Sequence, residues 1–310
     1  MKRQKPNIKK TIKKRIDLKL KSKNNNIAKN ETKMSITERD KLRLPNYNHK
    51  TIDVQSLSKE ERNQLRSNIV TNDEFFLKNE IKNKTIHYNF INDVDTTKLK
   101  ILFIISNYER EEMLNQLLNE IRNIGADYII FDDVSSYKIN DNNVIINDFH
   151  RGKENYWKTF DEMFKYCKDK FYDIYVFTPN DFLKYDMNRI MKYGGNLINE
   201  EYVFNIINDG RKTSWNKLEP LVINDEIKLH FFTDCGFFTN YKTLKLLEFK
   251  VNEIILKNNK YGSMVGCQLT NRLLSLKVPI FTPIKSIAYH GNHHSLMNYE
   301  TRIVNKLISR

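Results

Sequence analysis

The sequence predicts an α/β fold, a Rossmann-like and mostly parallel sheet flanked by helices, with a basic N-terminal extension. Three observations predict it. From residue 98 onward, short continuous apolar runs, the form of buried parallel strands, alternate with segments whose apolar residues recur every three or four positions. Polar and acidic residues close those runs, at the ends where open α/β sheets bind ligands. The positive charge, finally, has an address: residues 1–33 hold thirteen Lys/Arg against Asp17 and Glu31, which is +11 of the chain's +14.

The composition supports a folded body and excludes several classes. Of 310 residues, 40% are hydrophobic and 12% aromatic, with only nine Gly and six Pro, so the chain is neither low-complexity nor collagenous. Cys167, Cys235 and Cys267 form no CxxC pair, which argues against a disulfide framework and a structural zinc site and fits a reducing compartment. No apolar run approaches the roughly 20 residues of a membrane span, and no apolar stretch follows the charged N-terminus as in a secretory signal. A cytoplasmic protein is expected.

Residues 1–45 read as a disordered arm. Ile8, Ile12 and Ile16 share one helical face, so the arm can form a basic amphipathic helix on an anionic surface. Three readings stay open for it: DNA or RNA binding, a solvated arm without a partner, and attachment to an anionic membrane face. Residues 46–96 form a lead-in, with short strands expected at Thr51–Val54 and Ile86–Ile91 and a helix over Lys59–Ile69.

The body runs from 97 to 310. Leu99–Ser106 is an apolar strand that opens into Asn107-Tyr108-Glu109-Arg110. Met113, Leu114, Leu117, Leu118, Ile121 and Ile124 then mark an amphipathic helix stopped by Gly125. Tyr128–Phe131 is the next strand and ends in Asp132-Asp133-Val134-Ser135-Ser136. After a loop at His150–Lys153, Tyr156, Phe160, Met163, Phe164 and Cys167 mark a second helix, and strand Asp173–Thr178 runs into Pro179-Asn180-Asp181. Strands at Tyr202–Ile207 and Lys228–Phe232, the segment Asp234–Phe238, a helix from Lys242, a helix over Val265–Leu276 and a strand at Pro279–Thr282 complete it.

Neither GxGxxG nor GxxxxGK[ST] occurs, which argues against a dinucleotide oxidoreductase and a P-loop NTPase. Strand-end carboxylates are what the sequence offers instead. Asp132 or Asp133 can accept hydrogen bonds from a base or ribose, and Asp181 can hold a hard divalent ion against a diphosphate. The alternative for each is a cap on a helix or turn. Trp215, after Asn208-Asp209-Gly210, either stacks on a sugar or base or packs on the sheet. His290, His293 and His294 invite a zinc reading, but no nearby Cys completes a tetrahedral set.

In order, these motifs resemble the GT-A glycosyltransferases, especially the family 2 type. Asn107-Tyr108-Glu109-Arg110 is similar to that family's Tyr-Asn-Arg-like loop, Asp132–Ser136 to its Asp-Asp-Gly-Ser-like turn, and His150–Lys153 to its Asn-x-Gly loop. Tyr175–Asp181 falls where the family has its Asp-x-Asp metal motif. Gly262–Gln268 with Arg272, and Ser286–Gly291 with Ser295, resemble the C-terminal half of viral DNA-modifying and cell-surface relatives; the likeness covers roughly residues 98–298. A viral origin would make the location the host cytoplasm.

The resemblance implies a UDP-sugar donor, a hexose transferred to a hydroxyl, and Mn²⁺ or Mg²⁺. It implies that Asn107, Arg110, Asp132 and Asp133 bind the donor, with Asp133 on the base or ribose. Lys153 and Arg211 assist or are solvated surface charges, and Trp215 joins the donor-binding set. Asp181 holds the metal with His290 as second ligand. This chain departs from the pattern in having Asn180 before Asp181, and Cys267-Gln268 in place of the Glu-Asp pair that supplies a base. Asp234 is the substitute base or a turn carboxylate; without a base, a retaining mechanism is the better reading. An arm of +11 suits a polyanionic acceptor such as a hydroxymethylated base in DNA. A cell-surface or protein glycan, and a body that binds nucleic acid without activity, are the alternatives.

Overall fold

Strand β1 (Lys50–Asp53) and helix α1 (Glu74–Thr85) lead into a body in which strands and helices alternate: β2 (Ile101–Asn107), α2 (Glu111–Ile124), β3 (Asp127–Asp132), β4 (Val144–Ile146), α3 (Gly152–Tyr166) and β5 (Ile174–Pro179). After these come β6 (Phe182–Leu183), α4 (Met187–Asn196), β7 (Val203–Asn205), β8 (Leu221–Val222), β9 (Ile227–His230) and β10 (Phe237–Thr239). The last are α5 (Tyr241–Leu246), β11 (Ile254–Lys257), α6 (Val265–Ser275), β12 (Ile280–Pro283) and β13 (Tyr289–His290). The computed structural model describes residues 50–62, 74–85, 88, 90, 95, 98–208, 219–233, 236–251, 254–257 and 265–290. All these elements belong to one unit, His49–Arg310; the basic arm lies outside the described residues.

Nine strands form one mixed sheet in the order β4-β3-β2-β5-β10-β7-β12-β9-β8. The half built first along the chain is parallel throughout: β3 pairs with β4, and β2 with both β3 and β5. Strand β10 runs antiparallel between β5 and β7, β12 returns parallel to β7, and β9 and β8 close the far edge antiparallel. All seven residues of β2 are buried, as a central strand covered on both faces requires. Two small sheets flank this one, β1 with β11 in parallel and β6 with β13 antiparallel.

Helix α2 buries Met113, Leu114, Leu117, Leu118 and Ile121 and stops at Gly125. That residue's φ of 76° lets its N–H reach the carbonyls of Ile121 and Arg122. Aromatic rings fill the layer around β5 and β10: Phe177 lies 4.8 Å from Phe164 and 5.0 Å from Phe237 between ring centroids. Among the described residues no helix is long and apolar enough to cross a membrane.

The α/β expectation holds, with local corrections. Of the strand expected at Ile86–Ile91, only Tyr88 and Phe90 are described, and neither is in a strand; both rings pack on Phe281 instead, at 5.8 and 5.2 Å. Residues 59–62 are helical as expected, while the rest of that helix lies outside the described residues. The expected loop at His150–Lys153 gives way to helix from Gly152, because Asp133 caps the helix start from another element. Helices α1 and α4 and strands β4, β6, β8, β11 and β13 have no counterpart among the sequence expectations.

Candidate functional site

The sheet's strand order reverses at β2. From β2 the chain moves outward through β3 to β4, then returns to lay β5 on the other side of β2. At such a reversal open α/β sheets bind ligands at the carboxyl ends of the strands. Asn107–Arg110 leaves β2 at this point, and Asn180-Asp181 leaves β5.

Asn107 is the hub. Its amide nitrogen lies 2.6 Å from Asp132 Oδ1, 3.0 Å from the Tyr137 hydroxyl and 3.2 Å from Ser135 Oγ. Its amide oxygen accepts from Asn180 Nδ2 at 2.6 Å. One buried side chain thus ties the ends of β2, β3 and β5 together. Burial pushes the Tyr137 phenol above its ordinary value, against the Asn107 hydrogen bond, and its hydroxyl can donate to the Asn107 amide oxygen or to the Glu109 carbonyl, each 3.2 Å away.

Past Tyr108, two successive residues are left-handed, Glu109 with φ 53° and Arg110 with φ 60°. Each costs on the order of 1 kcal/mol for a side chain of this size, so something must hold them there. Glu109 supplies it: its N–H donates to Ser135 Oγ, its carboxylate accepts from the Ser136 N–H and hydroxyl at 2.8 and 2.7 Å, and its carbonyl accepts from Asn180 Nδ2 at 3.0 Å. Arg110 then starts α2 through its carbonyl and sends its guanidinium to Asp181, where Nη1 donates to Oδ2.

Asp181 is the least satisfied carboxylate here. Arg110 holds Oδ2, and His290 Nε2 stands 3.7 Å from the same oxygen. Oδ1 is buried and has no hydrogen-bond partner among the described residues, an expensive state for a carboxylate oxygen away from water. His290 is carried by β13, whose pairing with β6 sets it opposite Phe182, and its ring meets the Phe182 ring edge-on at 5.1 Å. Gly236 makes room for that ring: a Cβ there would lie 2.2 Å from Phe182 Cε2.

Asp132 and Asp133 are turned inward. Asp132 accepts from Asn107 and from the N–H and hydroxyl of Ser135, closing its own turn. Asp133 accepts from Asn147 Nδ2 at 2.8 Å and from the backbone N–H groups of Arg151 and Gly152 at 2.8 and 3.0 Å, with His150 Nδ1 at 2.9 Å. It thereby caps α3 from a distance, offsetting the exposed donors and positive end of that helix. The His150 ring in turn stacks on Tyr108, 4.3 Å between centroids and 27° apart, an aromatic pair where β2 and β3 end.

Of the residues singled out from the sequence, Asn107, Arg110, Asp132, Asp181 and His290 cluster where β2, β3 and β5 end. Asp133 and Lys153 lie at the start of α3, beside them. Arg211, Trp215 and Asp234 lie outside the described residues. Cys267 and Gln268 sit in the first turn of α6, partly exposed. In the sequence reading Tyr108, Glu109, Ser135 and His150 stand within the loop motifs but have no role, Tyr137 is missed, and Asn180 counts only as a lost carboxylate. Their one signal was proximity to strand ends.

The one feature here open to a hard cation is the unpartnered oxygen of Asp181. A buried carboxylate oxygen without a donor among the described residues suits an oxygen-seeking cation such as Mn²⁺ or Mg²⁺, whereas the neighbouring imidazole is a ligand that softer ions prefer. Among the described residues no three His, Cys, Asp or Glu side chains cluster into a site of their own. No protein-family model matches the chain, and no curated protein matches it.

Proposed function

We propose that this chain is a nucleotide-sugar glycosyltransferase of GT-A type that moves a hexose from a UDP-sugar to a hydroxyl acceptor. One observation carries the reading: Arg110 and Asp181 meet at the reversal point in the parallel half of the sheet, and Asp181 keeps a buried oxygen with no donor among the described residues. A cationic fork beside a half-used carboxylate is what a diphosphate with its counter-ion requires.

In this reading Arg110 takes diphosphate oxygens, and its guanidinium offsets charge that grows on the leaving group. Asp181, with His290, would hold Mn²⁺ or Mg²⁺, which when bound supplies Lewis-acid neutralisation of the same charge. Tyr108 and His150 offer flat faces for the base, and Lys153 and Arg211 lie in the donor-binding set. Asp234 is the assigned base that takes the acceptor's proton, and Trp215 the assigned stacking partner. The basic arm favours DNA carrying a hydroxylated base as acceptor over a cell-surface or protein glycan.

The test is hydrolysis of UDP-sugars with Mn²⁺ by the whole chain and by Asp181→Ala. Removing a group aimed at developing charge costs about 10²–10³ in rate, so the variant should fall by that much. Equal, background rates in both would sink the reading. A second reading, a protein that binds nucleotide sugar or nucleic acid without transfer, draws on Asp132 and Asp133, whose carboxylates are spent on internal N–H and O–H groups. It predicts a thermal shift with UDP-sugar and no turnover.

A further inference from the structure

We propose that Arg110 and a divalent cation compete for Asp181, so that the cation is admitted when a diphosphate draws the guanidinium away. The inference rests on the donor site proposed above and adds a coupling between its two ligands. Arg110 Nη1 already occupies Asp181 Oδ2. Both side chains are largely withdrawn from water, at 16% and 12% exposed, so the pair is poorly screened. A dication at Asp181 would meet a guanidinium on the same carboxylate, and the two positive charges repel at contact distance.

The loop assigns the motion to one side chain. The backbone of Glu109 is tied by Ser135, Tyr137 and Asn180, and its carboxylate by Ser136. Arg110 is therefore anchored at its Cα, and what can change partner is the guanidinium. Its planar fork matches phosphate oxygens as well as a carboxylate, and a diphosphate carries more charge than Asp181. When the fork transfers, Asp181 is left with two oxygens and no Arg110 donor, and the cation replaces the lost positive charge. Linkage makes the effect reciprocal: the diphosphate tightens the cation by the factor with which the cation tightens the diphosphate.

Equilibrium binding of Mn²⁺ alone to the full chain, followed by calorimetry or by the loss of free-ion EPR signal, tests this. Arg110→Gln should bind Mn²⁺ about tenfold or more tightly than the wild type, because the competing charge is gone. Arg110→Lys, which keeps the charge but loses the fork, should fall between them and guards against a misfolded Gln variant. Adding Asp181→Asn to Arg110→Gln should abolish the gain. The proposal is overturned if both Arg110 variants bind Mn²⁺ no more tightly than the wild type, or if the gain survives Asp181→Asn. Melting the same samples with a UDP-sugar reports the donor reading separately. A shift without any change in Mn²⁺ affinity sinks the competition alone, whereas Mn²⁺ tightening without a shift sinks the donor reading alone.

Discussion

The Asn180 amide nitrogen has two acceptors before it, Asn107 Oδ1 at 2.6 Å and the Glu109 carbonyl at 3.0 Å. A carboxylate at 180 would set oxygen against oxygen at both contacts. Turning the Asn107 amide over gives no escape, because its oxygen would then face Asp132 Oδ1, now 2.6 Å from its nitrogen. Asn180→Asp is therefore expected to lower stability by about 1–3 kcal/mol, the cost of a buried polar group stripped of its partner. For a unit of this size that is a melting temperature lower by roughly 3–10 °C. An unchanged or higher melting temperature would mean that the amide network does not hold the loop. From the sequence Asn180 was legible only as a missing charge. Which acceptors surround a side chain is decided by the register of β2, β3 and β5, which composition and spacing do not carry.

At the scale of elements, α4 shows why a helix can be invisible in its own sequence. Its core-facing side ends in Tyr193-Gly194-Gly195, a pattern that reads as a breaker. In the fold Gly194 lets the helix approach β5 closely: a Cβ there would lie 2.3 Å from Ile174 Cδ1 and 2.8 Å from Cγ1. Asp186 starts the helix by accepting the Arg189 N–H at 3.2 Å. Helix propensity alone says that Gly194→Ala gains about 1 kcal/mol, whereas overpacking against Ile174 costs about 1–3 kcal/mol. The variant should be less stable by thermal melting. Ile174→Val, which removes Cδ1, should return part of that loss in the double variant; a Gly194→Ala protein more stable than wild type would refute the close approach. Helix α2 lacks such a conflict, and its apolar spacing and Gly125 stop were legible. Strand β4, three residues at a sheet edge, is too short to show a period.

For the whole molecule, the parallel half of the sheet could be read because each of its longer strands is a continuous apolar run. The order of strands could not, since β10 enters between β5 and β7 through contacts far apart in sequence. That order decides which strand ends meet, so the candidate site was legible as residue types at strand ends and not as a geometry. Charge is the one whole-chain property that needed no fold: +11 in residues 1–33 against +14 overall. If the arm meets a polyanion, each phosphate it neutralises adds about −0.9 to the slope of log affinity against log salt on duplex DNA. Deleting residues 1–45 should flatten that slope by several units and weaken DNA binding most at low salt, while a near-neutral body has little to lose. Donor hydrolysis should be nearly unaffected, because Asn107, Arg110 and Asp181 all lie in the body. Equal slopes with and without the arm would remove DNA as its partner, and a loss of donor hydrolysis on deletion would mean that the arm serves the transferase itself and not its acceptor.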